Sequence, residues 1–93
     1  MVVSHPEKTR ITVDIYGRSY TIIGEEQAHH VRMVASLVDQ KMREIHDSNS
    51  SLDTNKLAVL TAVNTMNDYL KLKEEYTELL GSIKQKEEQE KND

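Results

Sequence analysis

Residues 10–23 read RITVDIYGRSYTII. Apolar and polar side chains alternate through the first half, which places Ile11 and Val13 on one side, and β-branched residues are frequent in both halves. A period of two is typical of strands with one covered face. We expect a hairpin with a two-residue turn that has Gly17 at its first central position and Arg18 at its tip. Two strands alone are marginally stable in water, so this hairpin must pack on helices or join another sheet.

We expect the first helix to begin directly after the hairpin. Gly24 is the predicted N-cap, and Glu25 and Glu26 fall in the first turn, where carboxylates favour the positive end of the helix dipole. Apolar residues then recur at intervals of three and four, which predicts one buried stripe over about 21 residues. The stripe consists of Val31, Val34, Ala35, Val38, Met42 and Ile45. The polar run 46–51 is rich in turn-forming residues and is expected to end the helix.

The second predicted helix is much longer. Asp53 is its expected N-cap, and Leu52 and Leu57 flank the cap at the spacing of a hydrophobic staple. Residues 54–90 contain no proline, and Gly81 is their only weak helix former, so ~37 residues and roughly 55 Å of helix are possible. The first helix is too short to cover more than the first half of this length.

The second half of that helix carries apolar side chains at the a and d spacing of a coiled coil. These seam residues are Tyr69, Leu72, Tyr76, Leu79 and Ile83. In the first half, apolar residues occur on two faces, one of which includes Leu60 and Asn64. A bare apolar surface of this length promotes aggregation, so the pattern predicts a second copy of the chain. We therefore assign Leu60, Asn64 and the seam to contacts between subunits.

Two polar residues each have two interpretations. Asn64 is either an exposed amide or a buried one that fixes the register and oligomeric state of an interface at some cost in stability. Arg18 is either a solubilising turn residue or a planar guanidinium anchor for an acidic partner. The sequence pattern leaves both pairs open.

These elements predict an α+β fold in three parts. Residues 1–9 form a flexible leader, and residues 10–64 form a globular dimerisation head made of the hairpin, the first helix and the start of the second. Residues 65–93 form a coiled-coil extension. The end of this extension is almost wholly charged or amide and is expected to fray.

Composition limits the class of function. The 93 residues include 12 basic and 16 acidic ones, so the net charge is −4 and no positive field exists for a nucleic acid or an anionic membrane. The chain has no cysteine, which excludes disulfides and thiolate chemistry and fits a cytoplasmic protein. Residues 1–10 lack the apolar core of a signal peptide, and no stretch is apolar enough to span a membrane. We expect neither secretion by that route nor a membrane segment.

The sequence shows no motif for catalysis or for metal binding. Its histidines, His5, His29, His30 and His46, form no pair at the spacing of helical metal ligands. The three glycines match no phosphate-binding loop, and two strands are a poor scaffold for a deep pocket. We expect no enzyme activity, metal, cofactor or small-molecule substrate. A small homo-oligomeric adaptor fits these residues best, with a nucleic-acid-binding dimer as the alternative because a β-ribbon can enter a groove.

Three segments together resemble the ZapA family of bacterial cell division proteins. They read VDIYGRSY at 13–20, HVRMVASLV at 30–38 and DTNKLAVLTAVN at 53–64. Their order and spacing are also similar to the family's, from residue 10 to about residue 80. The chain is most similar to the short form of the family found in Bacillus-like bacteria.

This resemblance implies a cytoplasmic, non-catalytic protein at the midcell division site. It implies binding to the tubulin-like division protein FtsZ and bundling or cross-linking of FtsZ filaments at the Z-ring. It also implies a globular dimer head built from hairpins and helices. Two such dimers would join through their long C-terminal helices into an elongated tetramer.

The resemblance also assigns residues to these roles. The arginine of the family's Gly-Arg turn falls on Arg18, and the asparagine of its leucine-rich helix block falls on Asn64. Some relatives have an acid early in the second helix and bases late in the first, and the matching positions here are Asn55 and the 46–51 loop. Arg18 and Asn55 are thus the residues expected to bind FtsZ.

Overall fold

Four elements make up the part of the chain that the structure describes, residues 8–91 of a computed structural model. In chain order they are β1 (Thr9–Ile15), β2 (Arg18–Gly24), α1 (Ala28–Ser48) and α2 (Thr54–Lys91). The predicted α+β class, with a hairpin followed by a medium and a long helix, is confirmed. β1 begins at Thr9, inside the predicted leader 1–9, and residues 1–7 of that leader lie outside the described residues.

The hairpin turn lies one residue earlier than predicted. β1 and β2 are antiparallel with Ile15 opposite Arg18, so Tyr16 and Gly17 are the central residues of the turn. Both have positive φ, 51° for Tyr16 and 78° for Gly17, as a type I′ turn requires. The expectation that Arg18 occupies the tip was wrong, because strand pairing continues through Arg18 and leaves Gly17 at the second central position.

α1 begins later than predicted because β2 is longer. Gly24 pairs with Thr9 as the last residue of β2, so it is not the helix N-cap. Gln27 holds that position, and its carbonyl accepts the N–H of Val31 at 3.1 Å. The two glutamates expected in the first turn, Glu25 and Glu26, precede the helix instead.

α1 also ends later than predicted. The helix continues through His46 to Ser48, so it includes the first half of the polar run that was expected to form a loop. The N–H of Asn49 then donates to the carbonyls of both Ile45 and His46 at 3.1 Å, which closes the last turn. Carbonyls left unpaired at a helix C-terminus are commonly satisfied by such shared bonds.

The buried core lies between one face of the hairpin and α1. The buried cluster consists of Ile11, Val13, Val31 and Ala35, and Ile15, Ile22 and Ala28 pack against it. Met42 is also buried, but Val34, which we placed in the same stripe, is 44% exposed. The buried stripe of α1 is narrower than predicted because a two-stranded sheet covers only a narrow face of a helix.

The first turns of α2 are fixed by a cap and a buried leucine. The carboxylate of Asp53 accepts the N–H of Lys56 at 2.8 Å, which confirms the predicted N-cap. Leu57, one turn into the helix, is fully buried. Thr61 follows on the same side of the helix, is also buried, and its hydroxyl donates to the carbonyl of Leu57 at 2.8 Å.

Contacts within the chain divide it into two compact units, with the boundary between Thr61 and Ala62. We call the described part of the first unit, residues 8–61, the head. The described part of the second unit is the continuation of α2, which we call the extension. Every side chain from residue 62 to residue 90 is exposed, and the helix is unbroken at Gly81. The helix includes residues 85–91, part of the segment that was expected to fray.

Candidate functional site

Arg18 lies immediately after the hairpin turn. It is the first residue of β2, its backbone pairs with Ile15, and its side chain is exposed. Within residues 8–91, no hydrogen bond or ion pair holds its guanidinium group. The paired backbone fixes where the Arg18 side chain leaves the strand, and its guanidinium group is available to an anion on a partner.

The turn beside Arg18 is attached to α1 through Asp39. The Oδ1 atom of Asp39 accepts the backbone N–H of Tyr16 at 2.7 Å. The same carboxylate accepts two bonds from Arg43, at 2.9 Å from Nε to Oδ2 and at 3.3 Å from Nη2 to Oδ1. One carboxylate therefore joins a turn amide of the hairpin to a side chain one helical turn further along α1.

The ring of Tyr16 lies against the same face of α1. The guanidinium carbon of Arg43 is 5.5 Å from the ring centroid, within the range of a cation–π contact. The ring of His46 meets the tyrosine ring at 60°, with 6.1 Å between centroids. We call Tyr16, Asp39, Arg43 and His46 the turn clamp. In this clamp, the three side chains of α1 hold the backbone and the ring of Tyr16. The left-handed conformation of Tyr16 costs roughly 1–2 kcal/mol.

The two charges of the clamp stabilise each other. The hydrogen bond from Arg43, and then the one from the Tyr16 amide, lower the pKa of Asp39 below its usual value. Asp39 in turn raises the pKa of Arg43, first through the hydrogen bond and then through the opposite charge. Both groups are therefore charged at neutral pH, and the Tyr16 amide donates to an ionised carboxylate.

An open groove of about 520 Å³ lies beside the clamp, between the hairpin and α1. Its polar lining includes Asp14, Arg32 and Ser36 together with Asp39 and Arg43. The carboxylate of Asp14 already accepts the hydroxyl of Ser19 at 2.6 Å. Charges of both signs line this groove, so it lacks the uniform field that would select an anionic or a cationic ligand.

Asn55 lies at the other candidate surface of the head. It is the second residue of α2, it is exposed, and it borders a hollow of about 420 Å³. Leu52, Lys56, Val59 and Leu60 line the rest of this hollow. The structure thus brings Asn55 together with Leu60, a predicted subunit contact, whereas Arg18 lies outside this hollow.

The seam residues are exposed along the extension. Tyr69, Leu72, Tyr76, Leu79 and Ile83 have between 45% and 64% of their surface accessible. Asn64 is exposed as well. The predicted assignment of these residues to subunit contacts stays a prediction, and nothing within the extension covers them.

The described residues contain neither a metal-binding cluster nor a membrane-spanning helix. Between residues 8 and 91, no three histidine, aspartate or glutamate side chains converge as metal ligands would. Within the same range, no helix is both long enough and apolar enough to cross a bilayer.

The family model described as Cell division protein ZapA matches residues 11–92. The chain belongs to the ZapA family. A ZapA of Oceanobacillus iheyensis is 66% identical over 86 residues, covering 92% of this chain and all of the relative. A ZapA of Bacillus licheniformis is 60% identical over 85 residues, covering 91% of this chain and all of the relative.

A solved ZapA structure is also similar. It is described as a ZapA mutant dimer from Geobacillus stearothermophilus, is 49% identical and has a TM-score of 0.68. The match covers 90% of this chain and 98% of that one. The resemblance to the ZapA family drawn from three sequence segments is therefore confirmed, and the family is named for cell division and not for an enzyme activity.

The turn clamp was missed by sequence analysis of this ZapA-family chain. Asp39 and Arg43 are four residues apart, a spacing that predicts an ion pair on a helix surface. The contact of Asp39 with Tyr16 spans 23 positions of sequence and depends on how α1 lies against the hairpin. The sequence signal was present for the pair, but no local pattern links that pair to the turn.

Proposed function

We propose that this chain is a non-enzymatic cell division protein that binds FtsZ and cross-links FtsZ filaments at the midcell Z-ring. Membership of the ZapA family, over residues 11–92, is the observation that carries the proposal. The proposed location is the cytoplasm at the division site. The proposed partners are FtsZ and further copies of this chain, without nucleic acid, membrane, cofactor or small-molecule substrate.

Cross-linking needs at least two FtsZ-binding heads in one particle. The exposed seam of the extension supports this, because Leu72, Tyr76 and Leu79 have no cover within their own unit. A coiled coil of such seams would bury them against another copy. The Geobacillus stearothermophilus relative is described as a dimer, and we propose dimers of this chain that pair into tetramers.

The proposed FtsZ contact centres on Arg18, with Asn55 as the second candidate. Arg18 is an exposed cation with no partner among the described residues, next to a turn that is clamped to α1. Its planar guanidinium suits a carboxylate on the partner. We therefore propose that the FtsZ surface it meets is acidic.

Co-pelleting with polymerised FtsZ tests this proposal. The variant Arg18→Glu reverses a charge at the proposed contact, where two like charges facing each other cost several kcal/mol. We expect at least tenfold weaker binding, with the largest difference at low salt. Unfolding should change by no more than about 0.5 kcal/mol, because exposed substitutions seldom do more.

Arg10→Glu is the matched control for that experiment. Arg10 is also an exposed arginine of the hairpin, but it pairs with Ile23 near the end of the sheet away from the turn. It should retain binding close to wild type. If the unmodified chain does not pellet with FtsZ at any salt concentration, the proposed function is wrong. If Arg18→Glu pellets like wild type, the contact moves to Asn55.

A further inference from the structure

The turn clamp constrains the conformation of Tyr16, which lies two positions before Arg18. Among residues 8–91, Tyr16 is the one non-glycine residue with positive φ. Such a conformation is unfavourable for an L-residue with a large side chain, and it persists only where the surroundings hold it. Here the surroundings are three side chains of α1 at positions 39, 43 and 46, which lie on one face of the helix.

The bond from the Tyr16 amide to Asp39 is the central contact of the clamp. At 2.7 Å it is shorter than a typical backbone bond, and its acceptor is charged. The carboxylate is itself held by two bonds from Arg43, and the Asp39 side chain is only 28% exposed. Its position is therefore set by α1, and the turn amide is drawn to that position.

The conformation of the turn determines the position of Arg18. Only Gly17 separates Tyr16 from Arg18, and the pairing of Arg18 with Ile15 depends on the turn closing in its two-residue form. Without the clamp, a tyrosine at φ 51° gains by leaving this conformation. The first pair of the ladder would then open, and the guanidinium of Arg18 would sample a wider range of directions.

We propose that Asp39 is a positioning residue that holds the hairpin turn so that Arg18 meets the acidic surface of its partner. This inference rests on the proposed function. Asp39 does not touch the partner in this account; it lowers the ordering that binding would otherwise require of Arg18. Loss of Asp39 therefore weakens partner binding through Arg18 and leaves the folded head in place.

The experiment compares Asp39→Ala with Asp39→Asn. Alanine removes the acceptor, whereas the Oδ1 atom of asparagine still accepts the Tyr16 amide. Glu44→Ala is the control, because it removes another exposed carboxylate of α1 whose bond, from Gln40, stays within the helix. Thermal melts show which variants are folded.

The first readout is hydrogen exchange of the Tyr16 amide, followed by NMR in the absence of FtsZ. We expect about tenfold faster exchange in Asp39→Ala, the factor that corresponds to loss of one hydrogen bond of ordinary net strength. Asp39→Asn should keep most of the protection, and Glu44→Ala should keep all of it. Unchanged exchange in Asp39→Ala would overturn the inference.

The second readout is co-pelleting with FtsZ filaments in a double-mutant cycle with Arg18→Ala. We expect Asp39→Ala to weaken binding about three- to tenfold when Arg18 is present. It should have no further effect when Arg18 is alanine, and Asp39→Asn should restore most of the binding. An equal loss in both backgrounds overturns the inference and leaves the proposed function intact. Failure of the unmodified chain to pellet overturns the proposed function and this inference together, although the exchange result would still stand.

Discussion

The head and the extension of this chain use the same helix in opposite ways. In the head, α2 contributes Leu57, whose surface is fully buried. In the extension, the same helix presents Leu72 with 64% of its surface exposed. The head buries a small apolar cluster between its hairpin and first helix, whereas every side chain of the extension up to residue 90 is exposed. We therefore expect unfolding of the head to depend on buried residues such as Leu57, and the extension to depend on a second copy of the chain.

The largest expected effect is the difference in unfolding free energy between alanine variants of these two leucines. Leu57→Ala should lower the free energy of unfolding by about 2–5 kcal/mol, because it leaves a cavity where a buried side chain was. Leu72→Ala should leave the unfolding of the head in place and change only the concentration at which the chain associates. Denaturant unfolding at two protein concentrations measures both variants. The contrast between head and extension would be wrong if Leu57→Ala unfolds like wild type or if Leu72→Ala destabilises the head directly.

Acid should loosen the turn clamp of the head by protonating Asp39. The pKa of Asp39 is lowered in the folded chain, from a usual value of 3.8, by Arg43 and then by the Tyr16 amide. A lowered pKa contributes stability above the usual value, and that contribution is lost as the pH falls through the folded-state pKa.

NMR titration of the Tyr16 amide below pH 5 follows this loss. We expect its chemical shift to move with the protonation of Asp39, and the movement to be absent in Asp39→Asn. Arg43 keeps its charge throughout, and the charges near it include Asp47. A Tyr16 amide that moves equally in both proteins would show that another group controls the turn.

The smallest expected effect lies in the extension. Gly81 lies inside the last third of α2, and a Cβ atom at this position would meet no neighbouring atom within 4 Å. Gly81→Ala should therefore stabilise the helix by about 0.5–1 kcal/mol, because glycine loses more backbone freedom on folding. Thermal melting followed by circular dichroism measures the gain. A lower melting temperature would instead indicate that a second copy approaches the helix closely at this point, and would sharpen the contrast with the head.

Much of the architecture could be predicted because its signals are local. The alternation in 10–23 predicted the strands, and Asp53 predicted the start of the long helix. The turn register and the start of α1 could not be placed correctly, since Gly24 has to pair with Thr9 across the sheet. The clamp could not be predicted from the sequence either, because Asp39 reaches Tyr16 only after α1 packs on the hairpin. Local chemistry decides the elements here, and tertiary contacts decide their ends.

We expect other copies of the chain to cover the extension, and the mass of the particle in solution reports on this. Light scattering of the full chain at micromolar concentration, after size separation, is the measurement. It should give about four times the 10.7 kDa of one chain, in line with dimers that pair. Leu79→Lys should halve that mass without loss of helicity, because an unpaired charge is costly in a desolvated seam. Thr77→Lys, at a position of the helix outside the seam, should leave the mass unchanged. A wild-type mass of one chain, with both helices intact, would show that other copies do not cover the extension.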